Sequence, residues 1–277
     1  MTDNADQIAY WNGPGADRWV RNQEKLDRSL APFARLALEA ARAQPDERVL
    51  DVGCGCGGTA LALAESVGPR GAVLGVDISA PMLELARTRA SAFANVTFTL
   101  ADASAHPFEA AFDLVFSRFG VMFFRDPVGA FANLRRALRP GGRVAFVCWG
   151  PVVENPWFRI PLAAVGTVLS LPTPASPDEP GPFAFADRDR LVRILEEAGF
   201  TRITLDRSTP ELVLGDDLDA AATYAIETGP VSRILVDADE ATRGRARTAI
   251  RQSLEPYAGP HGVALGSSTW VVRANGG

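Results

Sequence analysis

The residues best suited to chemistry in this 277-residue chain form a glycine-rich segment, VLDVGCGCGGT, at positions 49–59. An apolar, β-type run turns there through glycines into a predicted helix. Because glycine has no Cβ, the backbone N–H groups of such a turn can approach a ligand at the N-terminus of the helix. Gly53, Gly55 and Gly58 also match G-x-G-x-x-G, which is typical of nicotinamide enzymes. Nicotinamide binding and a structural turn without a ligand therefore stay open as alternatives.

Acidic side chains follow the next two predicted strands. Asp77 lies at the end of the run 72–78, and Asp102 with Ala103 follows the run 96–101. A carboxylate in the first position can accept hydrogen bonds from ribose hydroxyls, and one in the second can accept from an adenine amino group. Each acid alone could be a solvated helix cap. Together with the glycine segment, they favour a nucleotide-like ligand at the carboxyl ends of the strands.

The chain has two histidines, His106 and His261, and both are candidate catalytic bases. His106 follows the third predicted strand. His261 precedes the last one, which would begin at the same edge of the sheet if it ran antiparallel. An imidazole with an ordinary pKa of about 6.5 can accept a proton at neutral pH. A surface or capping role is the alternative for each.

Lysine is nearly absent, which excludes several enzyme classes. Lys25 is the single lysine, and it lies in the polar segment RNQEKLDR. A GK[ST] phosphate loop needs a lysine in its turn, and a Schiff-base enzyme needs a buried one. No tyrosine lies four residues before Lys25, so the chain cannot hold a Tyr-x-x-x-Lys dehydrogenase dyad.

The composition and the net charge limit the kinds of binding partner that we expect. The formal net charge is −5, from 28 basic and 33 acidic side chains, and no basic block suggests a nucleic-acid partner. No apolar run reaches the length of a membrane span and the N-terminus is polar, so we expect a cytoplasmic protein. Cys54, Cys56 and Cys148 are too few for a disulfide framework and lack the partners of a zinc site, so no metal is expected.

The elements that must position these residues alternate regularly. Strands are predicted at 48–53, 72–78, 96–101, 112–117 and 143–149, with helices at 58–67, 80–93 and 127–138. Strands alternating with helices predict a parallel sheet covered on both faces.

The sequence predicts four segments along the whole chain. We expect a helical lid segment over 1–45, a nucleotide-binding core over 46–150 and a proline- and aromatic-rich lid insert over 151–186. A surface linker is the alternative for the insert. Residues 187–277 would complete the sheet with strands at 201–208 and 263–273, separated by lid helices within 216–258.

Five motifs in order resemble the class I S-adenosylmethionine-dependent methyltransferases, and within them the UbiE-like branch that acts on small molecules. They are DVGCGCGG at 51–58, VDISAPML at 76–83, ADA at 101–103, FDLV at 112–115 and LRPGG at 138–142. The resemblance implies a Rossmann-like, doubly wound α/β sheet of seven strands, in the order 3-2-1-4-5-7-6 with strand 7 antiparallel. It also implies S-adenosylmethionine as cofactor and S-adenosylhomocysteine as product.

The resemblance also implies which residues of this chain bind the cofactor. Asp51 and the glycine loop would hold the methionine end, Asp77 the ribose, and Asp102 the adenine amino group. The expected cofactor-binding residues are Trp11, Asp51, Gly53, Cys54, Gly55, Thr59, Asp77, Ile78, Met82, Asp102, Ala103, Ser117 and Arg118. Ser117 and Arg118, after the fourth strand, would lie near the sulfonium. For Met82 and Trp11, an ordinary core position is the alternative.

The acceptor is expected to be a small hydrophobic or aromatic molecule, methylated in line on an oxygen, nitrogen or carbon atom. The residues expected in its pocket are Tyr10, Phe119, Trp149, Trp157, Phe183 and Tyr224. A general base is optional, because the reaction depends mainly on alignment and water exclusion. The alternatives are an NAD(P)-dependent oxidoreductase and a module that binds S-adenosylmethionine without turnover. We expect a monomer or a homodimer.

Overall fold

Seven strands form one sheet in the order expected from the sequence. The computed structural model describes residues 4–173, 176, 179–229 and 231–277. The strands are β1 (Arg48–Val52), β2 (Ala72–Asp77), β3 (Val96–Leu100), β4 (Phe112–Arg118), β5 (Leu138–Trp149), β6 (Thr201–Ser208), β7 (Glu211–Gly215), β8 (Ala258–Gly259), β9 (Gly262–Gly266) and β10 (Thr269–Asn275). The large sheet runs β3-β2-β1-β4-β5-β10-β6, and β10 is antiparallel to both of its neighbours. The predicted doubly wound sheet with an antiparallel final strand is confirmed.

Helices cover this sheet and its carboxyl edge, and several begin at the caps that the sequence provides. They are α1 (Ala5–Trp11), α2 (Pro14–Arg21), α3 (Gln23–Ala41), α4 (Gly58–Val67), α5 (Ala80–Arg89), α6 (Pro127–Ala137), α7 (Pro156–Gly166), α8 (Arg188–Glu197), α9 (Leu218–Glu227), α10 (Val231–Ile234) and α11 (Glu240–Leu254). The side chains of Ser79, Asp126 and Asp187 each accept a hydrogen bond from a backbone N–H in the first turn. Such N-caps satisfy donors that a helix leaves unpaired.

The N-terminal segment, predicted as a helical run, is broken into α1, α2 and α3. The breaks fall at Asn12-Gly13 and at Asn22, where the helices are capped by residues with non-helical dihedrals. Residues 1–3 lie outside the described part of the chain. Phe33 of α3 is fully buried, and its ring contacts those of Phe119 and Trp149. This contact seats α3 beside the carboxyl ends of β4 and β5.

The last predicted strand, 263–273, is in fact two strands in two sheets. β9 pairs with β7 and β8 in a separate three-stranded sheet, whereas β10 completes the large sheet. Ser267 and Ser268 separate them. The Ser268 N–H donates to Asn155 Oδ1 at 3.0 Å, and Ser267 Oγ donates to the carbonyl of Pro210. These contacts turn the chain from one sheet to the other, and β7 was not expected from the sequence.

The first residues of the insert after β5 are held in place by hydrogen bonds of Asn155. Asn155 Nδ2 donates to the carbonyls of Gly150 and Pro151, and Asn155 Oδ1 accepts from Trp157 Nε1 at 2.9 Å. Helix α7 follows directly, within this insert. Residues 174, 175, 177 and 178 of the proline-rich run lie outside the described residues. Within the described part of the chain, no helix combines the length and apolar character needed to cross a membrane.

Candidate functional site

A cavity of about 1250 Å³ opens at the carboxyl ends of β1, β2 and β4, beneath the N-terminal helices and the insert. A pocket for one drug-sized ligand measures about 300–1000 Å³. The cavity is therefore large enough for two small ligands side by side. One half is walled by the glycine loop and acidic strand ends, and the other is walled by aromatic rings.

The glycine loop after β1 needs its glycines for both conformation and space. Gly53, Gly55 and Gly57 have φ angles of +66°, +54° and +84°, which side chains other than that of glycine rarely adopt. A Cβ on Gly53 would lie 2.6 Å from the Cα of Gly120, and one on Gly55 would lie 2.9 Å from Met82 Cε. Gly53, Cys54 and Gly55 line the cavity, as expected. The loop therefore exposes backbone atoms, unobstructed by glycine side chains, to a ligand in the cavity.

Asp77 at the end of β2 supports this loop and also lines the cavity. Its carboxylate accepts hydrogen bonds from the N–H groups of Gly55 at 2.8 Å and Ser79 at 2.9 Å. Burial raises the pKa of Asp77, while these donors oppose the shift. Ile78 and Met82 continue the same wall, and Met82 is only 4% exposed. Asp77, predicted to hold the ribose, therefore lies on one wall with Ile78 and Met82, which were also predicted to bind the cofactor.

Asp102, after β3, lies on the same wall with Ala103. One carboxylate oxygen accepts from the Ser104 N–H at 2.9 Å, and the other accepts from Asn4 Nδ2 at 3.0 Å. The contact with Asn4 holds the start of α1 against the strand end. Asp102 thus lines the predicted adenine side, and it also anchors the N-terminal segment.

Asp51 and Thr59 lie behind the wall rather than on it. Asp51 is 0% exposed, and Thr59 Oγ1 donates to its Oδ2 at 2.7 Å. The other oxygen, Oδ1, has no partner among the described residues. Burial raises the pKa of Asp51 to about 7. Thr59 therefore positions Asp51, and one buried oxygen of Asp51 has no donor among the described residues.

The residues after β4 separate into a structural serine and two wall residues. Ser117 Oγ donates to the Val52 carbonyl at 2.8 Å and accepts from the Gly120 N–H at 3.1 Å, so it ties the two loops together and does not line the cavity. Arg118 and Phe119 do line it. Phe119 has a φ of +63°, a turn that redirects the chain at the cavity wall.

Aromatic rings build the other half of the cavity. Phe119 and Trp149 stack with ring centroids 4.2 Å apart and an interplanar angle of 12°. Trp157 packs on Trp149 at 4.5 Å, and Phe183 lies 6.3 Å from Trp157 in a stacked arrangement. All four line the cavity, as the sequence predicted for the acceptor pocket. Such a surface fits a flat apolar molecule.

Two tyrosines and a tryptophan close the cavity from the lid elements. Tyr10 accepts a hydrogen bond from Arg18 Nη2 at 2.8 Å, and the guanidinium of Arg233 lies 3.7 Å above its ring. Trp11 contacts the ring of Phe123 at 5.4 Å. Tyr224 of α9 is buried, which raises the pKa of its phenol. All three predicted residues, Tyr10, Trp11 and Tyr224, lie on the wall.

Neither histidine reaches the cavity, which corrects the assignment of His106 and His261 as bases. The ring of His106 packs on Phe108 at 4.7 Å, in a turn where its carbonyl accepts from Asn133 Nδ2. His261 lies exposed in the turn between β8 and β9. Its position follows from the split of the last predicted strand, because it precedes a strand of the small sheet rather than β10.

Sequence reasoning missed the residues that hold the lid in place. Asn12 Nδ2 donates to the Ile78 carbonyl at 2.8 Å, and Asn12 Oδ1 accepts from the Ala80 N–H at 2.9 Å. Arg233 was missed as well. Asn12-Gly13-Pro14 is recognisable as a helix break, but its contact with the segment that links β2 to α5 could not be read from the sequence. In the part of the chain that the structure describes, no group of histidine, cysteine or acidic side chains is arranged to hold a metal ion.

Comparison with known families and curated proteins agrees with this geometry. A family model described as a methyltransferase domain matches residues 49–142. The chain is 34% identical over 194 residues to aklanonic acid methyltransferase DauC of Streptomyces sp. (strain C5), which covers 62% of this chain and 83% of that protein. It is 33% identical over 171 residues to demethylmenaquinone methyltransferase of Staphylococcus aureus, covering 56% of this chain and 68% of that protein.

Solved structures share the fold at low sequence identity. The YcgJ protein of Bacillus subtilis matches with a TM-score of 0.58 at 17% identity, over 88% of this chain and 98% of that one. Phosphoethanolamine N-methyltransferase 2 of Haemonchus contortus, solved with S-adenosyl-L-methionine, matches with a TM-score of 0.52 at 20% identity. The match covers 90% of this chain and 52% of the nematode protein.

Proposed function

This chain belongs to the class I S-adenosylmethionine-dependent methyltransferases, and we propose that it methylates a small, flat aromatic molecule held in the aromatic half of its cavity. The single observation that carries the proposal is the division of one cavity into two unlike halves. A polar, glycine-rich half suits a nucleoside, and a half of stacked rings suits an apolar acceptor. Because the chain belongs to this methyltransferase family, the oxidoreductase alternative is set aside.

The residues of the polar half fit S-adenosylmethionine. Gly55 presents backbone where a Cβ would intrude, and Asp51 Oδ1 is a buried acceptor still lacking a donor. Asp77 would hold the ribose, while Asp102 and Ala103 would face the adenine. When bound, S-adenosylmethionine supplies a methyl group on a positively charged sulfur, which leaves as a neutral thioether.

The aromatic half would orient the acceptor. Phe119 stacks on Trp149, and Trp157 packs against Trp149 with an interplanar angle of 41°. The three rings form an apolar wall that can contact a flat ring and exclude water from it. The names of the two curated relatives state small organic acceptors, aklanonic acid and demethylmenaquinone, and this supports the same substrate class here. The chain's contribution to catalysis is alignment of the acceptor with the methyl group in a dry site.

The bases on the described cavity wall are carboxylates, including those of Glu179 and Asp187, which remove only acidic protons readily. Neither histidine lies on the described cavity wall, and Tyr224 stays protonated at neutral pH because burial raises its pKa. Tyr224 can therefore donate to an acceptor oxygen but not accept its proton. We infer an acceptor that reaches the site ionised, or that ionises easily, such as an acidic hydroxyl on an aromatic ring or an aromatic acid.

Transfer of a radiolabelled methyl group tests this proposal. The purified protein is incubated with labelled S-adenosylmethionine and either planar aromatic phenols and acids or small polar amines and alcohols. We expect label only on aromatic acceptors. Trp157→Ala should raise the acceptor KM about 10-fold through lost stacking and burial, whereas truncating the exposed Tyr257, which lies outside the cavity, should not.

Two results would overturn the proposal. Methylation of the polar amines or alcohols in preference to the aromatic compounds would place the acceptor elsewhere. Binding of S-adenosylmethionine without labelled product on any acceptor would favour the module that binds it without turnover. The cytoplasmic location, the oligomeric state and the absence of a nucleic-acid partner stay predictions from the sequence.

A further inference from the structure

Tyr224 is a buried polar side chain that reaches the cavity from the C-terminal part of the chain. It belongs to α9, is 8% exposed and lines the cavity wall. The apolar residues Leu26 and Leu30, one turn apart on α3, line the same cavity, and Ser29 between them lies beside the Tyr224 phenol. A few polar groups in a mostly apolar pocket fix the orientation of its ligand. Tyr224 is therefore a candidate for orienting the molecule that receives the methyl group.

Two hydroxyl groups flank the phenol oxygen of Tyr224. Ser29 of α3 and Thr228, which caps α9, both lie beside it in hydrogen-bonding positions. Thr228 Oγ1 donates its proton to the Tyr224 carbonyl at 2.6 Å, so toward the phenol it can only accept. The buried Ser29 can donate to the phenol oxygen. The phenol is thus positioned from two helices, and its own proton stays available for a hydrogen bond.

The phenol keeps this proton at neutral pH. Burial raises the pKa of Tyr224, and the hydroxyls of Ser29 and Thr228 and the charge of Arg118 oppose the shift only in part. A protonated phenol donates one hydrogen bond. An oxygen of a molecule in the cavity can take this bond in place of Thr228, which also lines the wall.

Tyr224 lies near the boundary between the two halves of the cavity. Arg118, whose charge acts on the phenol, ends β4 and lines the cavity. The next residue, Phe119, stacks on Trp149 in the aromatic half. A flat molecule in the aromatic half can therefore present one of its edges to Tyr224.

We propose that Tyr224, positioned by Ser29 and Thr228, donates a hydrogen bond to an oxygen of the substrate other than the atom that is methylated. This inference rests on the proposed function. A hydrogen bond to the attacking atom would engage one of its lone pairs and lower its reactivity toward the methyl group. A bond to a second oxygen orients the substrate without that loss. Tyr224 is then a specificity-determining residue, and it selects aromatic substrates that carry a carbonyl oxygen besides the ionisable group.

A pair of flat phenols that differ by one carbonyl group tests this directly. Calorimetric titration with 2-hydroxyfluorenone and 2-hydroxyfluorene is carried out on the wild type, Tyr224→Phe and Ser29→Ala. Each protein is saturated with S-adenosylhomocysteine, so that no methyl transfer occurs. Differences in acidity and apolar area between the two phenols cancel, because each variant is compared with the wild type on the same compound.

The loss of affinity should be confined to the ketone. For Tyr224→Phe we expect about a 5- to 10-fold weaker binding of 2-hydroxyfluorenone, the effect of one hydrogen bond between neutral groups. Its affinity for 2-hydroxyfluorene should stay within about twofold of the wild type. Ser29→Ala keeps the phenol but loses a group that positions it, so it should weaken the ketone about 2- to 4-fold and spare the other compound.

Tyr10→Phe is the matched control. It removes the hydroxyl of another tyrosine on the cavity wall, one that accepts from Arg18, and should leave the preference between the two phenols unchanged. The inference is overturned if Tyr224→Phe weakens both compounds equally, or neither, or if Tyr10→Phe shifts the preference as strongly. If Tyr224→Phe fails to fold, Ser29→Ala decides by the same comparison.

Failure of the proposed function would look different. In that case the wild type saturated with S-adenosylhomocysteine would bind neither phenol, and both claims would fall together. Wild-type binding of both phenols with an unchanged preference in Tyr224→Phe would instead leave the aromatic pocket standing and remove only the role of Tyr224.

Discussion

Two carboxylates with different roles flank the glycine loop, Asp51, which is fully buried, and Asp77, which lines the cavity. Asp77 is satisfied by two backbone N–H groups and fixes the loop. Asp51 has a single donor, Thr59, and keeps a buried oxygen without one. A buried charge with incomplete hydrogen bonding costs stability, so an ionised Asp51 destabilises the ligand-free fold.

The raised pKa of Asp51 predicts a pH dependence of stability. Its pKa rises from 3.8 in the unfolded chain to about 7 in the folded one, so between these values the folded state binds the extra proton. The folded state therefore loses stability as the pH rises through this window, by about 1.4 kcal/mol per pH unit. Asp51→Asn removes this contribution.

Denaturant unfolding of both proteins between pH 5 and pH 8.5, in the absence of ligand, measures this difference. The free energy of unfolding of the wild type should fall relative to that of Asp51→Asn up to about pH 7 and run parallel above it. The shift at Asp77 is present in both proteins and cancels. Profiles that run parallel throughout would show that Asp51 keeps an ordinary pKa.

Two glycines of the loop offer a matched comparison. Gly53→Ala would bring a Cβ within 2.6 Å of the Gly120 backbone, whereas Gly55→Ala meets only the flexible end of Met82 at 2.9 Å. Both also force alanine into a left-handed conformation. We expect Gly53→Ala to lose about 3 kcal/mol or more in unfolding free energy.

Gly55→Ala should fold with a smaller loss, about 1–2 kcal/mol from the backbone alone, yet bind S-adenosylmethionine more weakly. The combination of denaturant unfolding and ligand titration separates the two effects. Equal stability of the two variants, or undiminished binding by Gly55→Ala, would argue against the loop as a cradle for the cofactor.

At the scale of elements, helix α1 covers the cavity without contributing a fully buried residue to the core. α1 has no buried residues, and polar bonds from Asn4 and Asn12 attach its two ends to the strand ends. Arg233 of α10 stacks on the ring of Tyr10. Such a cover can open locally without unfolding the sheet, which gives ligands a way in.

Hydrogen exchange of α1 should therefore respond to the cofactor. With S-adenosylmethionine at about 100 times its Kd, amide exchange within Ala5–Trp11 should slow by at least about tenfold, because the bound ligand stabilises the closed cover. Helix α11 has no residue on the cavity wall and serves as the internal control. Unchanged exchange in α1, or equal slowing in α11, would contradict a covering role.

The elements that sequence patterns predicted well are those set by local rules. Alternating apolar strands, the glycine turn and the acids at the strand ends are all properties of neighbouring residues. The errors arose where distant residues decide the outcome. Ser268 donates to Asn155, far away in the chain, and this contact splits the last strand and moves His261 off the cavity edge.

At the scale of the whole molecule, one cavity is assembled from segments spread over most of the chain. Asn4 and Tyr10 of the N-terminal segment, Trp157 of the insert and Tyr224 and Arg233 of the C-terminal helices all reach the same wall. The aromatic residues could be predicted, because family members cover this edge with inserted elements. The hydrogen-bond and cation–π partners of Tyr10 depend on tertiary packing and could not.

The central claim is that the polar half of this cavity is an S-adenosylmethionine site, and calorimetric titration of the wild-type protein tests it most directly. We predict binding of one molecule of S-adenosylmethionine per chain, with a Kd on the order of micromolar, competition by S-adenosylhomocysteine and no binding of NADH. Binding of NADH, or of neither ligand, would contradict the account and leave only the fold.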